Sequence, residues 1–366
     1  MKIHRFVPVL LVSFFFLSAC AGQISAVATS LPTSIHIEAT SLPTSFHVEA
    51  TAITNPQPTA VEPTRAVLKA YGPEVIAQIN LHGSPQGIAK GFNSLWVAAH
   101  RDNTVYRLDP STGQIQASIT DGINGPEMFA VLDDAVWVSN AGDGPANRSL
   151  ARIDPNTNKV TATVNTPPGG MFYVAVYQDA PWMISPDSMS LSRVDPKTYQ
   201  LNSIQLPVKS YWDEIYSDTQ GIWVNDGSNL YLINPKGGSM LKTLPLGGDP
   251  DNSYVRAFSG SQFLVMDKQK FWLLDAKSGK VTDVSMDPSI TSIPVDDGAG
   301  TYGEGAFWAI GWGKTSMLLE IDPKSHKAIK NISAGYSGSP TGSIFPDGAT
   351  VWLTLFDMDS LVKVEP

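Results

Sequence analysis

The feature that most constrains this chain is a unit of 40 to 45 residues that recurs seven times. Its marker is an aromatic residue in a short apolar strand: Trp96, Trp137, Trp182, Trp223, Phe263, Trp308 and Trp352, at intervals of 41, 45, 41, 40, 45 and 44 residues. A second register, an Asp-Pro-type turn, counts the same units at Asp109, Asp154, Asp195, Asn234, Asp275, Asp322 and Glu365. In unit one the strands read Ser94 to His100, Thr104 to Pro110 and Gln114 to Ile119. A further alternating segment lies ahead of the marker, as in Gly87 to Lys90 and Tyr173 to Val176. Four short antiparallel strands per period, with no room for a ten-residue helix, predict an all-β fold: a seven-bladed β-propeller of four-stranded blades. The last unit stops after its third strand at Leu361 to Pro366, and Glu74 to Asn80 reads like the missing fourth. The N-terminal strand is therefore expected to complete the last blade and close the ring, removing two open sheet edges.

The repeated residues first answer structural needs. One large aromatic per unit, in mid-strand, suits packing between neighbouring sheets. In the Asp-Pro turns, Asp caps the turn, Pro presets φ, and Gly or Asn takes the left-handed position. Only 16% of the 366 residues are charged, against 42% hydrophobic, which fits a packed globular domain. The formal charge of −9 opposes binding to a polyanion such as DNA, or to an acidic membrane surface.

The first 70 residues differ from the rest. Lys2 and Arg5 precede an apolar run from Phe6 to Leu17, and then comes Leu17-Ser18-Ala19-Cys20. A basic start, a short apolar stretch and small residues describe an export signal. The last four residues resemble the lipobox of bacterial lipoproteins. That resemblance implies cleavage before Cys20, diacylation of its thiol, and an exported protein held to the cell membrane or outer membrane by palmitate-type chains. Cys20 is the one cysteine, so no intrachain disulfide and no cysteine metal cluster can form. Residues 1–20 thus read as a signal peptide and 21–70 as a disordered Ser/Thr/Pro-rich tether. The tether carries a duplicated 11-residue unit, Ala28 to Glu38 and Ala39 to Glu49, and residues 71–366 form the propeller.

Val136-Trp137-Val138-Ser139-Asn140, Trp223-Val224-Asn225 and the turn Ile153 to Lys159 resemble the YVTN-type repeat. That class includes streptogramin-lyase-like and many ligand-binding propellers. The resemblance implies a site where loops from all blades converge around the central channel. In the aromatic register one ring there holds Gln86, Glu127, Phe172, Asp213 and Ser253. The next holds Met128, Tyr173, Glu214 and Tyr254, with Tyr302 and Glu304 arriving from an irregular sixth blade. Nearby loops add Trp212, Arg256 and Trp312. Carboxylates among aromatics suit a cation, or a sugar or peptide stacked on rings. The expected role is a cell-surface module binding a small molecule, glycan or protein, with no cofactor required and Ca²⁺ or Mg²⁺ as the divalent cation such carboxylates would take. Two alternatives stay open: a metal-dependent lyase or lactonase-type enzyme using the funnel carboxylates, and a structural scaffold of the envelope. His82 and His100 approach the funnel from a single blade, and His326 sits in a blade-edge turn. No Gly-x-Ser-x-Gly elbow, His-Glu-x-x-His or P-loop occurs.

Overall fold

In the computed structural model, the described residues are 74–169, 173–210, 215–249, 253–267, 270–286, 299–310, 317–333 and 341–366. The expected signal, Cys20 and the tether lie outside them. The described residues form seven four-stranded antiparallel sheets. Blade one is built from Pro85–Gly91, Ser94–Ala99, Thr104–Leu108 and Ile115–Ile119, running from the innermost strand outward. The next five blades repeat that order in sequence. Among the described residues, two single-turn 3₁₀ helices, Pro145–Asn147 and Phe356–Met358, accompany the strands.

The seventh blade takes three strands from the C-terminus, and its outermost strand is Val75–Asn80. This strand pairs antiparallel with Ser360–Val364, from Val75 opposite Val364 to Asn80 opposite Ser360. The seam continues past the strand, where the Leu81 N–H donates to the Asp359 carbonyl at 2.8 Å and the Ser84 N–H to the Asp359 carboxylate at 2.8 Å. The ring is therefore closed as the two registers required, with each end of the domain supplying what the other lacks.

Seven apolar clusters hold the ring, each between two neighbouring blades. This explains the strand patterns. Ser94–Ala99, Ala135–Asn140 and Ala180–Ser185 are buried at every position, because a second strand is covered by a neighbouring sheet on each face. Outer strands such as Lys159–Asn165 alternate, because one face meets solvent.

The marker aromatics are core residues, and in four blades the marker indole also makes a hydrogen bond. The indole N–H of Trp96 donates to the Gly91 carbonyl at 3.0 Å, that of Trp182 to Tyr177 at 3.1 Å, and that of Trp308 to Gly303 at 3.2 Å. Trp223 reaches the Asp218 carboxylate at 2.8 Å. Each acceptor lies five residues upstream, in the turn leading from the innermost strand, so one side chain fills the seam and fixes that turn. In blade five Phe263 has no N–H to offer and instead stacks on Phe258, its own fifth residue upstream, at 4.1 Å between ring centroids.

The Asp-Pro turns are capped as expected. Asp109 accepts the N–H groups of Ser111 and Thr112, both at 2.9 Å, and Asp195 those of Lys197 and Thr198 at 2.9 and 3.0 Å. The Ser111 hydroxyl, donating to Asp109 at 2.5 Å, together with these backbone bonds holds the Asp109 carboxyl well below the usual range, at about 2, and the backbone bonds do the same for Asp195. Asn234 does the same work in blade four, accepting the Lys236 N–H at 2.9 Å.

Candidate functional site

The innermost strands surround a cavity of about 710 Å³ on the channel axis, within the range of small-molecule sites. They approach closely enough that glycine is required. A Cβ on Gly87 would lie 2.0 Å from the Glu127 carbonyl oxygen, and one on Gly342 would lie 2.7 Å from that of Gln86. Bulges interrupt the starts of these strands in blades one, two, five and seven. In blade two the bulge carries Glu127 and Met128, in blade seven Gly342 and Ser343, and in blade five Arg256. A bulge re-aims side chains, and here all of these residues line the cavity. Second-strand hydroxyls satisfy the freed amides: Ser139 accepts the Met128 N–H at 3.0 Å and Thr354 that of Ser343 at 2.7 Å.

Glu127 is the focus of this end of the channel. It is 7% exposed, and its Oε1 lies 2.7 Å from Nδ1 of His100. His100 follows the second strand of blade one, on the same face as the start of the blade-two inner strand. The pair therefore spans one inter-blade seam. The interaction with the Glu127 carboxylate raises the His100 pKa above its ordinary value, with partial burial opposing. A second ionic feature, the Lys90–Asp347 pair, lies at the other end of the inner strands.

Of the residues expected here, Glu127, Tyr173 and Arg256 do line the cavity. Arg256 is 6% exposed, with its guanidinium 4.7 Å from the centroid of the Tyr254 ring. Tyr302 and Glu304 are placed elsewhere, which corrects the expected ring. In blade six Ala299 and Gly300 occupy the level of the cavity mouth. The inner strand Gly300–Gly303 then carries Tyr302 and Glu304 to its opposite end. There Tyr302 packs edge-on to Phe307 at 5.0 Å, and Glu304 accepts the Gly348 N–H at 3.2 Å. Blade six has a longer approach to its inner strand than the others, so the residues expected from that irregular blade fall beyond the level of the ring. Trp212, Asp213, Glu214 and Trp312 lie outside the described residues.

His100 is the functional candidate that sequence reasoning passed over. Both nearby histidines, His82 and His100, belong to one blade, whereas the partner of His100 comes from the next. Among the described residues no group of three or more His, Cys, Asp or Glu comes together to hold a metal ion. His100 and Glu127 offer two donors, so the described residues do not by themselves make a metal site. What the pair can do is hold and move a proton at the mouth of an apolar-walled cavity.

No protein-family model matches this chain, and no curated protein sequence matches it. Solved structures do resemble it. Virginiamycin B lyase from Staphylococcus aureus superposes with a TM-score of 0.62 at 15% identity, over 79% of this chain and 98% of that one. A catalytically inactive variant of that lyase with quinupristin gives 0.60 at 14%, over 79% and 98%. A chain of Kuenenia stuttgartiensis hydrazine synthase gives 0.61 at 13%, over 78% and 96%. At such identities the likeness shows the fold alone. Sheet order, closing strand and structural likeness agree that this chain is a seven-bladed β-propeller.

Proposed function

We propose that the protein is a lipid-anchored recognition module, held to a membrane through Cys20, that takes a small molecule, glycan or peptide into the mouth of its central channel. The observation that carries this reading is the cavity of about 710 Å³ in which a buried Glu127 is fixed by His100 from the neighbouring blade. Apolar walls from Ile88, Phe129 and Val174 supply burial area, and Glu127 and Arg256 supply orientation. The test is thermal unfolding of the full chain in detergent against panels of sugars, amino acids and short peptides. A ligand should raise the melting temperature, and Glu127→Gln should abolish the rise; no shift with any panel counts against the reading. The anchor has its own assay, since Cys20→Ser should move the protein out of the membrane-lipid-modified pool when labelled palmitate is supplied.

A second reading, an enzyme of lyase type, is favoured by the His100–Glu127 pair and by the resemblance to virginiamycin B lyase. A carboxylate that lines the cavity and is paired with an imidazole, as Glu127 is with His100, is suited to exchanging a proton with a bound substrate. Incubation of the full chain with quinupristin, with and without Mg²⁺, and chromatography of the products would decide it. Turnover lost in His100→Ala would favour the enzyme, and an unchanged substrate would leave the binding role.

A further inference from the structure

We propose that the outer edges of blades four to seven form a docking surface for an anionic lipid bilayer. The argument starts from one position in the outer strand. In blades one, two, four, six and seven the register between the outer and third strands shifts at the same point, two residues of the outer strand facing one. The extra residue is Gln116 in blade one and Thr161 in blade two. In blades four, six and seven it is Leu241, Ile329 and Ile76. A bulged residue on an edge strand has no neighbour to cover it, so polar side chains are the expected occupants. Leu241 and Ile329 are nonetheless 51% exposed and Ile76 is 43% exposed. Met240 beside Leu241, and Val281 on the outer strand of blade five, are exposed as well. Five of the eight exposed large hydrophobic side chains among the described residues thus fall on the outer strands of four consecutive blades. Blades one to three do not share the pattern.

Two further observations point to a lipid surface. Lysines are segregated to three of these four blades: seven stand in the third-to-fourth-strand turns and outer strands of blades four to six, against two in the same segments of blades one to three and none in those of blade seven. Lys236, Lys277, Lys324 and Lys327 are exposed. Lys242 is used internally, donating to the carbonyls of Ala276 and Lys277 at 2.9 and 2.7 Å. Apolar side chains ringed by lysines match the boundary between headgroups and acyl chains. The same segments of blades four to seven also hold Asp275, Asp283, Asp322, Glu365 and Glu74, so lysines outnumber the local carboxylates seven to five. A Debye length of about 8 Å at physiological salt screens the more distant carboxylates behind the formal charge of −9.

The second observation is where the remaining chain attaches. The segment leading back to Cys20 joins the propeller at Glu74, two residues before Ile76. Glu74 also marks the end of the blades that carries the third-to-fourth-strand turns, since its carbonyl accepts the Glu365 N–H at 2.9 Å. The point where that segment joins the propeller, the lysine-bearing turns and the apolar bulges therefore share one end of the blades, and the Glu127–His100 pair lies at the other. Docking would point the channel mouth away from the lipid. The proposal rests on the anchor reading only for the nearness of a bilayer.

The test uses the full chain reconstituted into vesicles of phosphatidylglycerol and phosphatidylcholine. Leu241→Cys, Ile329→Cys, Gln116→Cys and Thr161→Cys each carry a polarity-sensitive fluorophore, and the vesicles carry nitroxide-labelled lipid. Labels at 241 and 329 should be quenched several-fold more than those at 116 and 161. The difference should shrink in pure phosphatidylcholine, at about 1 M salt, where the Debye length is about 3 Å, and in Lys277→Glu with Lys327→Glu, whose melting temperature should be unchanged. Equal quenching at all four positions overturns the proposal. So does shielding of 241 and 329 that rises with protein concentration in detergent without lipid, which would mark a contact between copies. Failure of the anchor reading is visible separately, because an unacylated Cys20 would take up a second label per chain.

Discussion

Ring closure makes a quantitative claim about Leu81, the residue immediately after the closing strand. It is fully buried between blades seven and one with Leu95, Val97, Leu108 and Leu361. Leu81→Ala removes three carbons, worth about 2.4 kcal/mol at ~0.8 kcal/mol per buried methylene. The cavity left behind brings the expected cost to about 2–5 kcal/mol. At ~2.1 cal/mol/K per residue, the roughly 290 residues of the propeller have an unfolding entropy of about 0.6 kcal/mol/K. The melting temperature should therefore fall by about 3–8 °C, read by differential scanning calorimetry. Ile76→Ala, on the closing strand but exposed, is the matched control and should cost about 0.5 kcal/mol or less. If the two variants melt together, the closing seam does not carry the ring and the reasoning fails.

Three further outcomes follow from the site and the turns. Gly87→Ala should perturb the channel mouth, because its Cβ would meet the Glu127 carbonyl at 2.0 Å; a loss of ligand-induced stabilisation with little loss of fold is expected, and wild-type behaviour would refute the close approach. Glu127→Gln should lower the His100 pKa toward about 6.5, followed by NMR titration of the imidazole. The wild-type pair is fully stabilising below about pH 6.5 and is lost as pH rises through the elevated folded value, so an unshifted titration curve in the variant would sink the pairing. Asp109 and Asp195, held at about 2, stabilise the fold above about pH 4, and that contribution is lost as pH falls toward about 2. Asp109→Asn, which keeps the acceptor as Asn234 does, should lower the acid-unfolding midpoint; an unchanged midpoint would show the turn carboxylate to be thermodynamically silent.

The fold was legible because propeller repeats write the same local requirements seven times. Trp96 and its counterparts are needed at each seam, and Asp109 and its counterparts at each turn, so the period survives even where Phe263 or Asn234 replaces the usual residue. The closing strand was legible for the same reason, as a fourth-strand pattern displaced to Glu74–Asn80. The candidate site was legible only in part. Glu127 and Tyr173 from the aromatic register, and Arg256 from a nearby loop, line the cavity. Tyr302 and Glu304 do not, because blade six lengthens the approach to its inner strand and breaks the count just where the site is built. His100 was visible as a residue but not as a partner, since no period relates the turn of one blade to the inner strand of the next.

By itself, then, the sequence determined the number of blades, their strand order and the closing strand, because these follow from local propensity and from a pattern repeated often enough to average out exceptions. It also carried the lipobox-like segment around Cys20, which is read as a linear motif. Only the tertiary structure decided that His100 meets Glu127 and that Glu304 lies at the far end of its strand. It alone showed that Leu241, Ile329 and Ile76 occupy equivalent exposed bulges. Each of these depends on a one-residue shift of register or on the juxtaposition of neighbouring blades, and a shift of one residue changes which way every following side chain points.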